Sequence, residues 1–284
     1  MLCCYHASCT DGLVSAWIVQ LFNKAVAADI RFVPCAYGGA TPEVIEGEVV
    51  FIVDFSFDAE VMVEMCKKAK TVVLIDHHDS AIAKVWKYFK TNPIPNNLEL
   101  RLNEDLSGAG GTWNFFYPDT TMPLMVALAQ DYDLWKFAYP DTRAFIAGIK
   151  GLPPTFATLD YAHGNMPEVI KLGQPFVDKE DEMIKIHLKD TTLVEFEGYT
   201  VPIANVPRYI HSLAGHEMGE GYPFAITYYD DGKDRIFSLR SHKGYGLIVN
   251  KFAEKRGGGG HPHSAGFRVS LPDNEILKLA KYNE

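Results

Sequence analysis

Residues Thr71–Ala81 read TVVLIDHHDSA, a run of β-branched and aliphatic residues that drives into Asp76, His77, His78 and Asp79. A buried strand has no use for four ionisable groups, each of which needs a partner or must neutralise. The carboxyl end of a strand in an open α/β sheet does have a use for them, because ligands bind there. A polar turn leaving the sheet is the plainer reading of the same stretch. Two other strand-like runs end in the same residue types: LCCYH closes on His6, followed by ASCT and Asp11, and VVFIVDFS carries Asp54. A parallel sheet would bring these strand ends to one edge. Asp131 and Asp133, at the end of the helix-like PLMVALAQDYDLW, could join them. Carboxylates with imidazoles suit Mn2+ or another hard-to-borderline divalent ion. Two such ions a few ångströms apart would clamp a phosphoryl group and activate a water. Taken singly, each residue has a duller role: a strand-edge histidine, a helix cap, a helix start, a charge offsetting lysine. Their coincidence at strand ends is what those roles leave unexplained. Cys9, in the first loop, reads as a small buried packing residue.

A second cluster lies near the C-terminus. In GGGGHPHSAGF, Gly257–Phe267, consecutive glycines let backbone approach a ligand closely and aim amide groups at an anion. His261 and His263 add donors, and Arg240 in the preceding FSLRSHKGYG is a fork for phosphate. A flexible loop is the alternative. A P-loop is excluded, since no Gly-Lys-Ser/Thr follows the glycines. Tyr245 and Phe267 are aromatic residues placed to stack on a base.

The elements that would position these groups alternate. LCCYH, IRFVPCAY, VVFIVDFS and TVVLIDHH are strand candidates, and Gly12–Ala27 and Asp58–Ala69 between them have helical apolar spacing. That alternation indicates βαβ units and a parallel sheet. GAGGTWNFFY reads as a turn leading into an apolar segment. Past Lys150 the composition shifts to Pro- and Gly-punctuated sequence and then a charged helix over Glu168–Asp190, as expected of a connector. DDGKD between two apolar runs signals a hairpin. The expected architecture is α/β: a parallel-sheet domain over 1–150, a helical connector over 151–190, and a smaller mixed α/β domain over 191–284.

The chain has 284 residues, 47% of them hydrophobic, enough for real cores. Five cysteines without a CxxC pair argue against a disulfide framework or a thiolate zinc knot, and fit a reducing compartment. The opening residues lack the pattern of a signal peptide, no run suggests a membrane span, and a cytoplasmic location is expected. A net charge of −9 speaks against a broad face for long duplex nucleic acid. It leaves room for a small anion, since bound cations can reverse the local field.

Asp76-His77-His78, with Asp54 upstream and GGGGHPHSAGF near the end, resembles the DHH–DHHA1 phosphoesterases, among them RecJ-like exonucleases and nano-RNA phosphodiesterases. The motifs run in family order from His6 to Phe267. The resemblance implies two Mn2+ or Mg2+ ions in the first domain and substrate grip from the second. By position, His6, Asp11, Asp54, His77 and Asp131 match metal ligands, with Asp54 the bridging carboxylate and Asp133 a substitute for Asp131. His78 matches the residue facing the scissile phosphate, and Asp76 one that orients a histidine ring. Arg240, Ser241, Gly259, Gly260 and His261 match the substrate-binding part of the second domain. One departure stands out: where many members carry a second aspartate two residues after the first, this chain has Leu13. Looser relatives with an H-x-x-C-x-D-G loop are closer. Either the second ion has fewer protein ligands, or Asp133 or water fills the gap.

The activity this implies is hydrolysis of short single-stranded oligonucleotides or linear dinucleotides to nucleoside monophosphates. Two alternatives stand beside it: a phosphatase of small phosphoanions such as polyphosphate or a nucleotide bisphosphate, and a nucleotide-binding protein without turnover.

Overall fold

The computed structural model describes residues 1–242, 244 and 247–271. Within it the chain divides into two compact units, Met1–Val177 and Asp178–Glu284.

Five strands form the sheet of the first unit: β1 (Leu2–His6), β2 (Arg31–Cys35), β3 (Val49–Val53), β4 (Thr71–Asp76) and β5 (Leu98–Leu102). All are parallel, in the order β2-β1-β3-β4-β5. Both faces are covered, so the central strands β3 and β4 are continuous apolar runs without polar alternation. Val50, Ile52, Val72 and Leu74 pack with Met62, Met65 and Val85 from α2 (Ala59–Lys68) and α3 (Asp79–Phe89). Phe51, Val53, Val73 and Ile75 turn the other way, toward Ala16 and Val19 of α1 (Thr10–Val26) and Phe116 of α4 (Gly108–Phe116). Each such side chain, fully buried, contributes about 1.5–3 kcal/mol. A further layer comprises α5 (Leu124–Asp133), α6 (Thr142–Lys150), α7 (Phe156–Gly164) and the start of α8 (Met166–His187), packed around Trp17, Phe145 and Leu159.

The segment over 151–190, expected to be a helical connector, is mostly helix. Leu159, Ala162 and Val169 belong to the first unit's core, and the division between units falls inside α8. GAGGTWNFFY is helix α4, not a turn. Its glycines are there for space: a Cβ on Gly110 would stand 1.9 Å from the Gln130 side chain.

In the second unit a six-stranded mixed sheet runs in the order β10-β11-β9-β8-β7-β6. Its strands are β6 (Thr192–Phe196), β7 (Tyr199–Asn205), β8 (Ala225–Asp231), β9 (Asp234–Arg240), β10 (Gly259–His261) and β11 (Ser264–Ser270). Only β7 and β8 pair in parallel. The DDGKD hairpin joins β8 to β9, with Gly232 at φ 60° making the tight turn. Helices α9 (His211–Met218) and α10 (Asn250–Glu254) complete the unit. No helix among the described residues is long and apolar enough to cross a membrane.

Candidate metal centre

In the strand order of the first unit the chain moves outward from β1 in one direction and from β3 in the other. The gap between those two strands is the switch point where open α/β sheets bind ligands. His6 ends β1, Asp54 follows β3 directly, and Asp76 ends β4 ahead of His77 and His78. The sheet therefore places the chemistry-bearing residues at one edge, on both sides of that gap.

Asp54 is the centre of the arrangement. Its backbone sits at φ 56°, a left-handed conformation that aspartate tolerates better than most residues, while its N–H donates to the Ile75 carbonyl at 2.9 Å. Its side chain is 1% exposed, yet neither oxygen has a hydrogen-bond partner. Oδ2 faces His6 Nδ1 at 3.6 Å, and Oδ1 faces His77 Nε2 at 3.2 Å. His77 Nε2 in turn lies 3.3 Å from Asp133 Oδ2. His6 Nδ1, His77 Nε2 and Asp133 Oδ2 are likewise buried without a hydrogen bond. Buried polar atoms in a folded protein are nearly always satisfied. Here five of them, nitrogens and oxygens of metal-ligating type, point at the same space. That donor set fits divalent cations. The potential ligand atoms form overlapping groups within 4.8 Å: His6, Cys9 and Asp54; Asp11, His77 and Asp133; Asp54, Asp76, His77 and His78.

Electrostatics agree with the geometry. Burial works against ionisation of Asp54, but the facing imidazoles of His6 and His77 overcome it and hold the carboxyl down at about 2. Burial and the neighbouring Asp54 charge push Asp133 up, and burial with Asp54 and Asp133 pushes Asp11 well up. Without a cation these carboxylates repel one another, which is the usual signature of an ion site. Burial also raises the Cys9 thiol, helped by Asp54 and Asp11, so the metal-free side chain is protonated.

Around these groups lies a supporting shell. Asp76 Oδ1 accepts from the His77 N–H at 2.8 Å and the His78 N–H at 3.3 Å, and meets His78 Nδ1 at 2.7 Å; Oδ2 accepts from Ser56 Oγ. Asp76 thus sets the orientation of His78. Burial opposes protonation of His78, yet this contact with Asp76 lifts it to about 9. Asp11 Oδ1 accepts from Ser107 Oγ at 2.7 Å and Oδ2 from the Ala109 N–H at 3.0 Å, which ties α1 to the start of α4. Two glycines make room: a Cβ on Gly12 would stand 2.4 Å from the His6 carbonyl oxygen, and one on Gly108 only 2.3 Å from Asp54 Cβ.

Asp131, expected as a ligand, lies outside these groups. Oδ1 accepts from the Ala138 N–H at 2.8 Å, and Oδ2 from the Tyr139 N–H at 3.3 Å and from Thr142 Oγ1. It fastens the turn between α5 and α6. The carboxylate that α5 delivers to the cluster is Asp133. Ser56, Ser107, Gly108 and Gln130 were not singled out from sequence. Their signal, the SGAGG run and the serine two residues after Asp54, was present but looked like turn composition.

In the second unit Arg240 is half-buried, and burial lowers its guanidinium to about 10. Nη1 donates to the Leu239 carbonyl at 2.9 Å and Nη2 to Ser212 Oγ at 2.8 Å. Among the described residues no carboxylate pairs with it. Ser212 Oγ meets His211 Nε2 at 3.2 Å, and the His216 and His242 ring centroids lie 4.3 Å apart with the rings tilted at 46°. Burial lowers both His211 and His216, keeping the rings neutral near pH 7. Ser241 Oγ donates to the Leu247 carbonyl at 2.8 Å and meets His263 Nδ1 at 2.9 Å, so it positions a loop and a histidine. Gly259, Gly260 and His261 form β10 rather than a loose loop. Gly260, at φ 141°, packs so closely that a Cβ would stand 2.5 Å from the Ser264 carbonyl oxygen. Phe267 is unavailable for stacking on a base: it is buried, with its ring 4.9 Å from Phe237. Tyr245 lies outside the described residues.

No protein-family model matches the chain. "Uncharacterized protein R106" of Acanthamoeba polyphaga mimivirus is 27% identical over 94% of this chain, which spans only 66% of that relative. The pGpG-specific phosphodiesterase PggH of Vibrio cholerae superposes over 99% of this chain and 97% of its own, with a TM-score of 0.57 and 15% identity. RecJ of Thermus thermophilus with Mn2+ covers 99% of this chain and 51% of its own at TM-score 0.52 and 14% identity. A further RecJ exonuclease bound to manganese covers 99% and 88% at 0.50 and 12%. The chain shares the fold of PggH and RecJ. Its parallel sheet and mixed second sheet match that architecture.

Proposed function

We propose that this protein is a metal-dependent phosphodiesterase acting on short oligonucleotides or linear dinucleotides. The observation that carries this reading is the bridging pose of Asp54, one unpartnered oxygen toward His6 and the other toward His77, at a switch point of the sheet. In it, His6 and Asp54 would hold one divalent ion, and Asp54, His77, Asp133 and Asp11 would hold a second. Such a pair supplies a Lewis acid for the phosphoryl oxygens and a water of lowered pKa.

The chain's own residues do the rest. His78, its Nδ1 held by Asp76 at 2.7 Å, would donate from its ring to the phosphate or its leaving oxygen. Asp76 acts through His78 as a positioning residue. In the second unit, Arg240 offers a half-buried guanidinium with no carboxylate partner among the described residues, and the β10–β11 hairpin lies beside its strand. PggH, similar in fold over the whole chain, is by name specific for a dinucleotide, which favours a short nucleotide over polyphosphate.

The test is a panel of dinucleotides, longer single strands, cyclic dinucleotides, polyphosphate and bis-p-nitrophenyl phosphate, each with Mn2+. Dinucleotide turnover is expected to exceed the others. Arg240→Lys should lower kcat/KM for the dinucleotide about ten- to a hundredfold, the cost of a lost charged hydrogen bond, and leave bis-p-nitrophenyl phosphate little changed. Equal losses on both substrates would reject the anion-grip role. Preferred hydrolysis of polyphosphate would replace the nucleotide reading with the phosphatase one.

A further inference from the structure

Cys9, expected from sequence to be a packing residue, stands where packing alone would not put it. It is the N-cap of α1, at φ −117° and ψ 136°, and its carbonyl accepts from the Leu13 N–H at 3.1 Å. Serine, threonine, aspartate or asparagine at this position would place a side-chain oxygen on the helix N–H groups. The cysteine side chain makes no capping bond. It is only partly buried, unlike Cys3, Cys4, Cys35 and Cys66. Its sulfur lies within 4.8 Å of a histidine nitrogen of His6 and a carboxylate oxygen of Asp54. Those two residues carry buried atoms without hydrogen-bond partners, and Asp54 is 1% exposed. The sulfur therefore belongs to a group whose other members, His6 and Asp54, would hold a cation in the reading above.

We propose that Cys9 is a thiolate ligand of the ion held by His6 and Asp54, which makes the two ends of the centre chemically different. This rests on the metal-centre reading above and extends it. On coordination the thiol loses its proton to solvent and sulfur donates a lone pair to the ion, with no change of oxidation state. The His6–Cys9–Asp54 end then presents nitrogen, sulfur and oxygen, a set that suits Zn2+, Co2+ or Fe2+. The Asp11–His77–Asp133 end presents nitrogen and oxygens alone, and suits Mn2+ or Mg2+. Cadmium and cobalt, which report on sulfur directly, should distinguish the ends.

The full-length protein, freed of metal with a chelator under reducing conditions, is titrated with Co2+ and followed from the near-ultraviolet to the visible. The parent should develop a sulfur-to-cobalt charge-transfer band as well as visible ligand-field bands. Cys9→Ser should lose the charge-transfer band and keep ligand-field bands. Its affinity for Cd2+ relative to Mn2+ should fall on the order of tenfold or more. Ligand-field bands in the parent without a charge-transfer band would overturn the proposal while leaving the metal centre intact, and so would a band that survives in Cys9→Ser. Failure of the parent to bind cobalt at all would overturn the metal-centre reading and this one with it. Should Cys9→Ser not fold, the parent is alkylated with iodoacetamide with and without Cd2+. Protection of Cys9 supports coordination, and equal modification refutes it.

Discussion

Asp131 and Asp133 sit two residues apart on one helix, and the structure gives them opposite jobs that mutation can separate. Asp131 accepts three hydrogen bonds, from Ala138, Tyr139 and Thr142, and is 3% exposed. In Asp131→Asn the amide nitrogen replaces one of the two acceptors. The bond to the Tyr139 or the Ala138 N–H is then lost, and two donors face each other. A hydrogen bond to a charged group contributes about 1.5–3 kcal/mol, and a domain of this size loses about 2–4 °C in Tm per kcal/mol. The first unit of Asp131→Asn should therefore melt roughly 3–12 °C lower. Its affinity for Mn2+ should hold, because neither oxygen reaches the cluster. Asp133 has the reverse profile: its Oδ2 makes no hydrogen bond, and burial with the Asp54 charge raises its carboxyl. Asp133→Asn removes a repelling charge, so the metal-free protein should melt no lower than the parent, while Mn2+ binding by calorimetry weakens sharply. Scanning calorimetry on both variants, paired with Mn2+ titration, gives all four numbers. Loss of Mn2+ from Asp131→Asn with retention in Asp133→Asn would refute the assignment.

Metal removal and pH should act together. In the metal-free protein Asp11 and Asp133 are raised, so their contribution to stability is present below about pH 4 and is lost as pH climbs through their folded values; His78, raised to about 9, adds stability below about pH 6.5 that is lost by pH 9. Asp54, lowered to about 2, works the other way, losing stability only as pH falls below about 4. The metal-free Tm should thus decline between pH 6.5 and 9. At one fixed Mn2+ concentration the stabilisation, about 2.7 kcal/mol where that concentration is a hundred times Kd, should grow as the pH is raised and the carboxyls shed their protons; a metal-induced rise that shrinks with pH would contradict the carboxylate cluster. Gly108→Ala should cost about 1–3 kcal/mol or more and abolish tight Mn2+ binding, because its Cβ would stand 2.3 Å from Asp54 Cβ and 2.6 Å from Oδ1. Gly164→Ala, with nothing within 4 Å of the new Cβ, is the neutral control, and equal effects in the two would remove the steric explanation.

The fold was legible where burial dictates composition. Strands covered on both faces must be largely apolar, so β1, β3 and β4 stand out, and their ends gave His6, Asp54, Asp76, His77 and His78. β5 escaped because LELRL alternates charge with leucine, as a strand at the sheet edge can. α4 escaped because three glycines in nine residues look like a breaker. Their reason is not local: Gly108 and Gly110 yield to Asp54 and Gln130, residues distant in sequence. The choice between Asp131 and Asp133 was illegible for a geometric reason. At 3.6 residues per turn, positions two apart point to nearly opposite sides of a helix, and sequence does not say which side meets the strand ends. Phe267 was misplaced because an aromatic beside a glycine run serves a core or a ligand equally well. Only its neighbours Phe237 and Phe196 decide.

What marks the centre is that the first unit departs from its own stability rules there. Asp54 holds a left-handed backbone that glycine would adopt more readily. Its buried oxygens forgo hydrogen bonds, and Asp11 and Asp133 are buried at raised pKa beside it. Gly12 and Gly108 give up helix propensity within contact of the same carboxylate, and Cys9 occupies a cap position without capping. Each departure alone costs on the order of a kilocalorie per mole. A structural role would let any one of them relax: a serine cap, an asparagine at Asp133, an alanine at Gly108 with a smaller neighbour at Asp54. They coincide around one small volume. Divalent cations would offset the buried carboxylates, the imidazole nitrogens without hydrogen bonds and the mutual repulsion at once.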